Sequence, residues 1–120
     1  MQIKNVLKRE ILLQSATEKL HEPLPRIKCN DGFEMSVQVG KGIYSFPDQK
    51  SIHVDYESVE VGFPSKMERI LFRYAEDKKE PTATVYPYVP IERVEDVIKK
   101  HGGIKTIFKG DRNGRKNIYN

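Results

Sequence analysis

Apolar and polar positions recur with different periods along the chain, and each change of period marks an element. Residues 2–21 follow a helical period. Lys4, Lys8, Ser15 and Lys19 fall on one side of a helical wheel, and Ile3, Val6, Leu13, Ala16 and Leu20 on the other. Leu7 and Ile11 flank the apolar side on one edge and Leu12 on the other, so the arc is wider than one core contact needs. It fits a terminal helix lying in a groove of its own domain, or one that also meets a second subunit. Pro23 and Pro25 end the helix.

The period then shortens to two. Ile27 and Cys29 alternate with Arg26 and Lys28, and Phe33, Met35, Val37 and Val39 alternate with Glu34, Ser36 and Gln38. Asn30-Asp31-Gly32 between the two runs supplies a hairpin turn, and Gly40-Lys41-Gly42 a second turn. A short run from Ile43 to Phe46 stops at Pro47-Asp48. Ser51 to Phe63 carries the longest strand signal. Its apolar phase shifts after Ser58, from Ile52, Val54 and Tyr56 to Val59, Val61 and Phe63, which predicts a bulge or a bend.

Ser65 and Glu68 have the spacing of a capping box, opening a short helix with Met67, Ile70, Leu71 and Tyr74 on its buried face. Thr82 to Tyr88 reads as a strand, and Pro87, which lacks an N–H, assigns it to an edge or a bulge. Pro90 opens a helix from Ile91 to His101, with Ile91, Val94, Val97 and Ile98 as its stripe. Its early acids and late bases match the helix dipole, and Gly102-Gly103 ends it. Ile104 to Phe108 is one more short strand. The fold class is therefore α+β: an antiparallel sheet with an N-terminal helix, a short middle helix and a C-terminal helix, followed by a basic tail. Residues 1–104 form the α+β domain, and residues 105–120 a basic strand and lid-like tail of the same domain.

Charge changes this picture at one end. From Lys99 onward there are seven basic residues against one acid, a net +6; the other 98 residues hold 14 basic and 16 acidic ones, a net −2. The chain is a slightly acidic body with a basic end, not a basic protein. Its 120 residues are one domain, long enough to bury a core without disulfides or metal. The one cysteine, Cys29, has no intrachain partner and reads as a small buried residue. Behind Met1 no long apolar run follows, so neither a signal peptide nor a membrane span is expected.

No sequence signature of catalysis is present: no Gly-x-Ser-x-Gly, no Walker loop, no His-Glu-x-x-His and no second cysteine for a metal. No cofactor is expected. His53, Asp55 and Glu57 would share one face of a strand at i, i+2 and i+4, a pattern that a solvent-facing edge explains as well as a weak metal site does. His101 reads as a cap or dipole partner. The binding chemistry gathers at the end of the chain. Phe108 and Tyr119 bracket Lys109, Arg112, Asn113 and Arg115, so rings for a base and donors for phosphates lie within a dozen residues. A solvated basic terminus has the same composition. The acidic body offers no broad basic face, so such a tail suits a small, strongly charged ligand better than a nucleic-acid polymer.

Four strings add a resemblance: Asp31-Gly32-Phe33-Glu34-Met35-Ser36-Val37-Gln38, Glu60-Val61-Gly62-Phe63-Pro64-Ser65, Tyr74-Ala75-Glu76-Asp77 and Val85-Tyr86-Pro87-Tyr88-Val89-Pro90. On these the chain resembles the phage anti-Thoeris (Thoeris anti-defence) sponge family. The resemblance implies a non-enzymatic homo-oligomer, dimer or higher. Such a protein would hold a cyclic ADP-ribose isomer intact in the cytoplasm of the infected or lysogenic bacterial host, and so keep Thoeris immunity silent. Relatives carry a Cys-Ser-Pro-Arg string after a tyrosine where this chain has Ser45-Phe46-Pro47-Asp48 after Tyr44. The charge of that arginine must then come from elsewhere, and the tail is the obvious source. The expected ligand-binding residues are Arg26 (from a neighbouring copy), Tyr86, Phe108, Lys109, Arg112, Asn113, Arg115 and Tyr119, with no catalytic residue and no metal. The rival reading is a phage inhibitor of a nucleic acid or nucleoprotein, of the anti-CRISPR kind; a phosphodiesterase-like enzyme lacks a visible base–nucleophile pair.

Overall fold

A computed structural model of the chain describes residues 2–109. Along it run α1 (Ile3–Ala16), β1 (Arg26–Cys29), β2 (Glu34–Gln38), β3 (Ser58–Gly62), α2 (Arg69–Phe72), β4 (Val85–Pro90), α3 (Ile91–Lys100) and β5 (Ile104–Phe108). The five strands are antiparallel and make one sheet in the order β4-β3-β2-β1-β5. The fold is α+β, with its helices at the expected places.

The β1–β2 hairpin forms where Asn30-Asp31-Gly32 predicts it. Gly32 takes φ +96, and the Asp31 carboxylate accepts the Phe33 N–H at 2.9 Å, an Asx turn that fixes the reversal. β2 alternates as expected, yet both of its faces are buried. Gln38 tolerates this because its amide accepts from Leu24 N–H and donates to the Leu24 carbonyl and the Ser36 hydroxyl. β5 closes the sheet on the far side of β1, with Ile27 opposite Ile107. The core joins Ile27, Met35, Val37, Val59, Val61 and Tyr86 to the inner faces of α1 and α3. Glu95 of α3 accepts the first N–H of α1, at Ile3, which ties the two helices together.

Three expectations change. α1 stops at Ala16, not at residue 21, because Glu18 turns left-handed (φ 58) and Lys19 N–H bonds the Gln14 carbonyl. Its buried face is Ile3, Val6, Leu7, Ile11 and Gln14, so Leu12, Leu13 and Leu20 are left on the surface. The strand expected over Ser51–Phe63 is only Ser58–Gly62. Before it, Tyr56 turns inward and its hydroxyl donates to the Gln49 carbonyl at 2.6 Å and accepts the Ser51 N–H at 3.0 Å. The shift of apolar phase marks the end of that loop, not a bend within one strand. The Ser65–Glu68 capping box does not form either. Ser65 instead accepts the Glu34 N–H across the hairpin, and Glu68 is itself the cap of the one-turn α2, accepting from Ile70 N–H. Met67 is exposed as a result.

Candidate functional site

Of the expected site residues within the described range, Arg26 and Phe108 lie opposite each other across the β1–β5 ladder, and Tyr86 lies apart from them. Arg26 is buried in β1; its guanidinium pairs with Glu34 at 3.3 Å and donates to the Phe63 carbonyl. It braces a residue held at φ 48 and presents no face to a ligand. Tyr86 lies wholly inside the core, its hydroxyl on the Pro81 carbonyl at 2.6 Å. Its ring is packed on every side and gives a base nothing to stack on. Phe108 is half-buried at the end of β5, and Lys109 is exposed just after it. Arg112, Asn113, Arg115 and Tyr119 lie outside the described residues. β4 and β5 are the opposite edges of the sheet, four strand spacings apart. At ~4.8 Å per spacing that separates Tyr86 from Phe108 by roughly 19 Å, so the fold does not bring these two rings together. His53, Asp55 and Glu57 lie on no strand, and the described residues hold no cluster of three metal-ligating groups.

A different aromatic surface is present. Val59 pairs with Val89 and Val61 with Tyr86, so Glu60 alone faces two residues of β4, Pro87 and Tyr88. That extra residue is a β-bulge on an edge strand, the place where Pro87 costs no ladder hydrogen bond. Tyr88 absorbs the irregularity with a left-handed backbone, φ 50. Regular alternation would put Tyr86 and Tyr88 on one face; the bulge instead buries Tyr86 and turns Tyr88 outward, 53% exposed. The Tyr88 N–H donates to the Tyr44 carbonyl at 3.1 Å, and the two rings meet at 5.8 Å, tilted by 54°. Tyr44 is 45% and Phe46 57% exposed, with Ser45 turned inward between them. The buried Glu60 holds this loop by accepting the Tyr44 N–H at 3.2 Å. The paired rings of Tyr44 and Tyr88, with the exposed Phe46 two residues along the same loop, make up an open aromatic shelf on a braced scaffold. Sequence reading missed the shelf because a bulge depends on the register of two strands. The signals for it were a proline between two tyrosines and the Tyr-Ser-Phe alternation.

A second cluster sits at the end of α3. His101 is 5% exposed, and its ring lies between two carboxylates: Nδ1 is 2.6 Å from Asp31 and Nε2 2.6 Å from Glu68. Phe33 stacks on it at 4.1 Å, and Lys100 pairs with the other Glu68 oxygen at 3.0 Å. The Asp31 carboxyl is held below its ordinary value by the Phe33 N–H and by His101. Burial alone would raise that of Glu68, but the Ile70 N–H, His101 and Lys100 together hold it low. Both ring nitrogens are engaged by carboxylates, so neither faces an open site for base chemistry. The arrangement is a clamp between the hairpin turn, α2 and α3. Cys29 is also withdrawn: burial, then the charge of Asp31, push its thiol up to about 11, which leaves no thiolate nucleophile at neutral pH.

Compared with protein-family models, with curated proteins and with solved structures, the chain matches none. No helix among the described residues is long and apolar enough to cross a membrane.

Proposed function

We propose that this chain is a non-enzymatic sponge for a compact anionic nucleotide of the cyclic ADP-ribose type, encoded by a phage and acting in the cytoplasm of its bacterial host to silence Thoeris immunity. The observation that carries the reading is the aromatic shelf of Tyr44, Phe46 and Tyr88. An exposed ring is worth ~1–3 kcal/mol per stacked base, whatever the base. The shelf coincides with the resemblance: Tyr88 lies in the Val85–Pro90 string, and Tyr44 opens the stretch where relatives carry their arginine string. Lys109, with Arg112 and Arg115 beyond it, supplies the charge for the phosphates, Asn113 a bond to the ribose or base edge, and Tyr119 a further ring. The reading includes a homo-oligomer in which the shelf of one copy and the basic end of another meet one ligand. The exposed Leu12 and Leu13 on the outer face of α1 favour such a contact between copies.

Calorimetry with the cyclic ADP-ribose isomer, followed by heating and chromatography of the released ligand, tests the reading. Saturable heat and intact ligand are expected, with at least about a tenfold loss of affinity in Tyr44→Ala and in Tyr88→Ala. No heat with free ligand recovered overturns it. Degraded ligand makes the protein an enzyme, and tight oligonucleotide binding with a steep salt dependence replaces the small ligand by a polymer.

A further inference from the structure

A cleft of about 440 Å³ lies between the link after α1 and the turn after β2, within the ~300–1,000 Å³ range of ligand sites. Leu20, Pro23, Val39 and Ile43 give it an apolar wall, and Lys41 and Lys50 give it two cations. Gly40 to Ile43 is a tight turn closed by the Ile43 N–H on the Gly40 carbonyl, with Gly42 at φ 80 and Lys41 exposed at the tip. The side chain of Gln38 is fully occupied by Leu24 and Ser36 and makes a fixed floor.

Lys50 is the informative residue. It is half-buried, and its ammonium donates to the Leu20 carbonyl at 2.8 Å and the Glu22 carbonyl at 2.9 Å. Both acceptors are neutral, and an ammonium has three N–H groups. No ion pair reaches it among the described residues; burial lowers its pKa, and the Glu22 carboxylate opposes this only through space. A poorly solvated charge on a cleft wall gains from a counter-ion. His21 and Glu22 are the other titratable groups lining the cleft.

We propose that this cleft binds a small oxyanion with an apolar body, a carboxylate or a phosphate monoester, whose oxygens take the third N–H of Lys50 and the ammonium of Lys41. Its apolar part lies on Leu20, Val39 and Ile43. Tyr44, Phe46 and Tyr88 are not among the residues that line the cleft, so the site is separate from the shelf and independent of the nucleotide reading.

The test is a titration of the full chain, followed by amide ¹H–¹⁵N spectra, with sodium butyrate, with butyl phosphate and with n-butylammonium chloride at constant ionic strength. Saturable shifts confined to residues 20–22, 38–43 and 49–50 are expected from at least one anion and from no cation, and the stronger anion names the head group. Lys41→Ala should weaken binding by about threefold to tenfold and Lys50→Met by more. Lys41→Ala sits on an exposed turn, so it keeps the test decisive if Lys50→Met loosens the link. Shifts that do not saturate, equal shifts from n-butylammonium, or unchanged affinity in Lys41→Ala overturn the proposal.

Discussion

Tyr88 keeps a backbone conformation that costs an L-residue about 1–2 kcal/mol, and its side chain is mostly outside the core. Strain kept at an exposed aromatic serves presentation, not packing. The two roles separate by substitution. Tyr88→Gly should be more stable than Tyr88→Ala by about 1 kcal/mol in urea unfolding, because only glycine takes positive φ without cost. Both should lose the ligand equally. The Asp31–His101–Glu68 clamp makes a pH prediction. Both carboxyls are held low in the folded protein, so their contribution is complete above the ordinary carboxylate range. It is lost as pH falls through the lower folded-state values. Thermal unfolding should therefore show a stability plateau near neutrality and a decline beginning around pH ~4. Glu68→Gln should lower the plateau by roughly 3 kcal/mol, since it removes the buried charge and leaves one accepting oxygen where His101, Ile70 N–H and Lys100 now share two. It should also flatten the acid decline.

At the scale of elements, α3 ends as its sequence dictates. Gly102 sits at φ 87, and a Cβ there would come within 3.3 Å of the Asn30 Cβ. Gly102→Ala should cost about 1–2 kcal/mol or more by chemical denaturation. It should also loosen the Asn30 amide from the Gly102 carbonyl, which shows as faster amide exchange at the hairpin turn. The elements legible in the sequence are those whose signals are local. The Asn-Asp-Gly turn, the dipole-matched α3 and the β-branched β5 each carry start, stop and period within a dozen residues. Ile52, Val54 and Tyr56 alternate like a strand, but among the described residues no strand pairs with them. Their loop folds around the Tyr56 hydroxyl instead. The turn after α1 is held by Gln14, which donates to the Glu22 carbonyl eight residues on, and by Lys50, which donates to the same carbonyl from much further along the chain; a helical wheel shows neither. The shelf needed the β3–β4 register, and the clamp needed Asp31 and Glu68, 70 and 33 residues before His101, brought to one ring. Composition located the charge of the candidate site, but not its rings.

Over the whole molecule, the two edges of the sheet are treated differently. β4 is guarded by two prolines, a bulge and bonds from Tyr44 and Glu76. β5 carries its own register shift against β1 and an exposed Lys105. The aromatic shelf belongs to the first edge and the basic end to the second. A chain shortened after Lys109 should keep the far-UV circular dichroism of the sheet. Its shelf alone should bind nucleosides as before while nucleoside diphosphates lose about tenfold or more, read by calorimetry. The position of β1 has a consequence for synthesis. Its neighbours are β2, eight residues away, and β5, some eighty residues away. At ~5–20 residues per second, a ribosome delivers the second neighbour several seconds after the first. During that interval the nascent hairpin exposes one long side of β1, with Ile27 and Cys29 in it. Assembly of the sheet therefore waits for β5 to be translated, and stalled nascent chains that lack β5 should be the protease-sensitive and aggregation-prone ones.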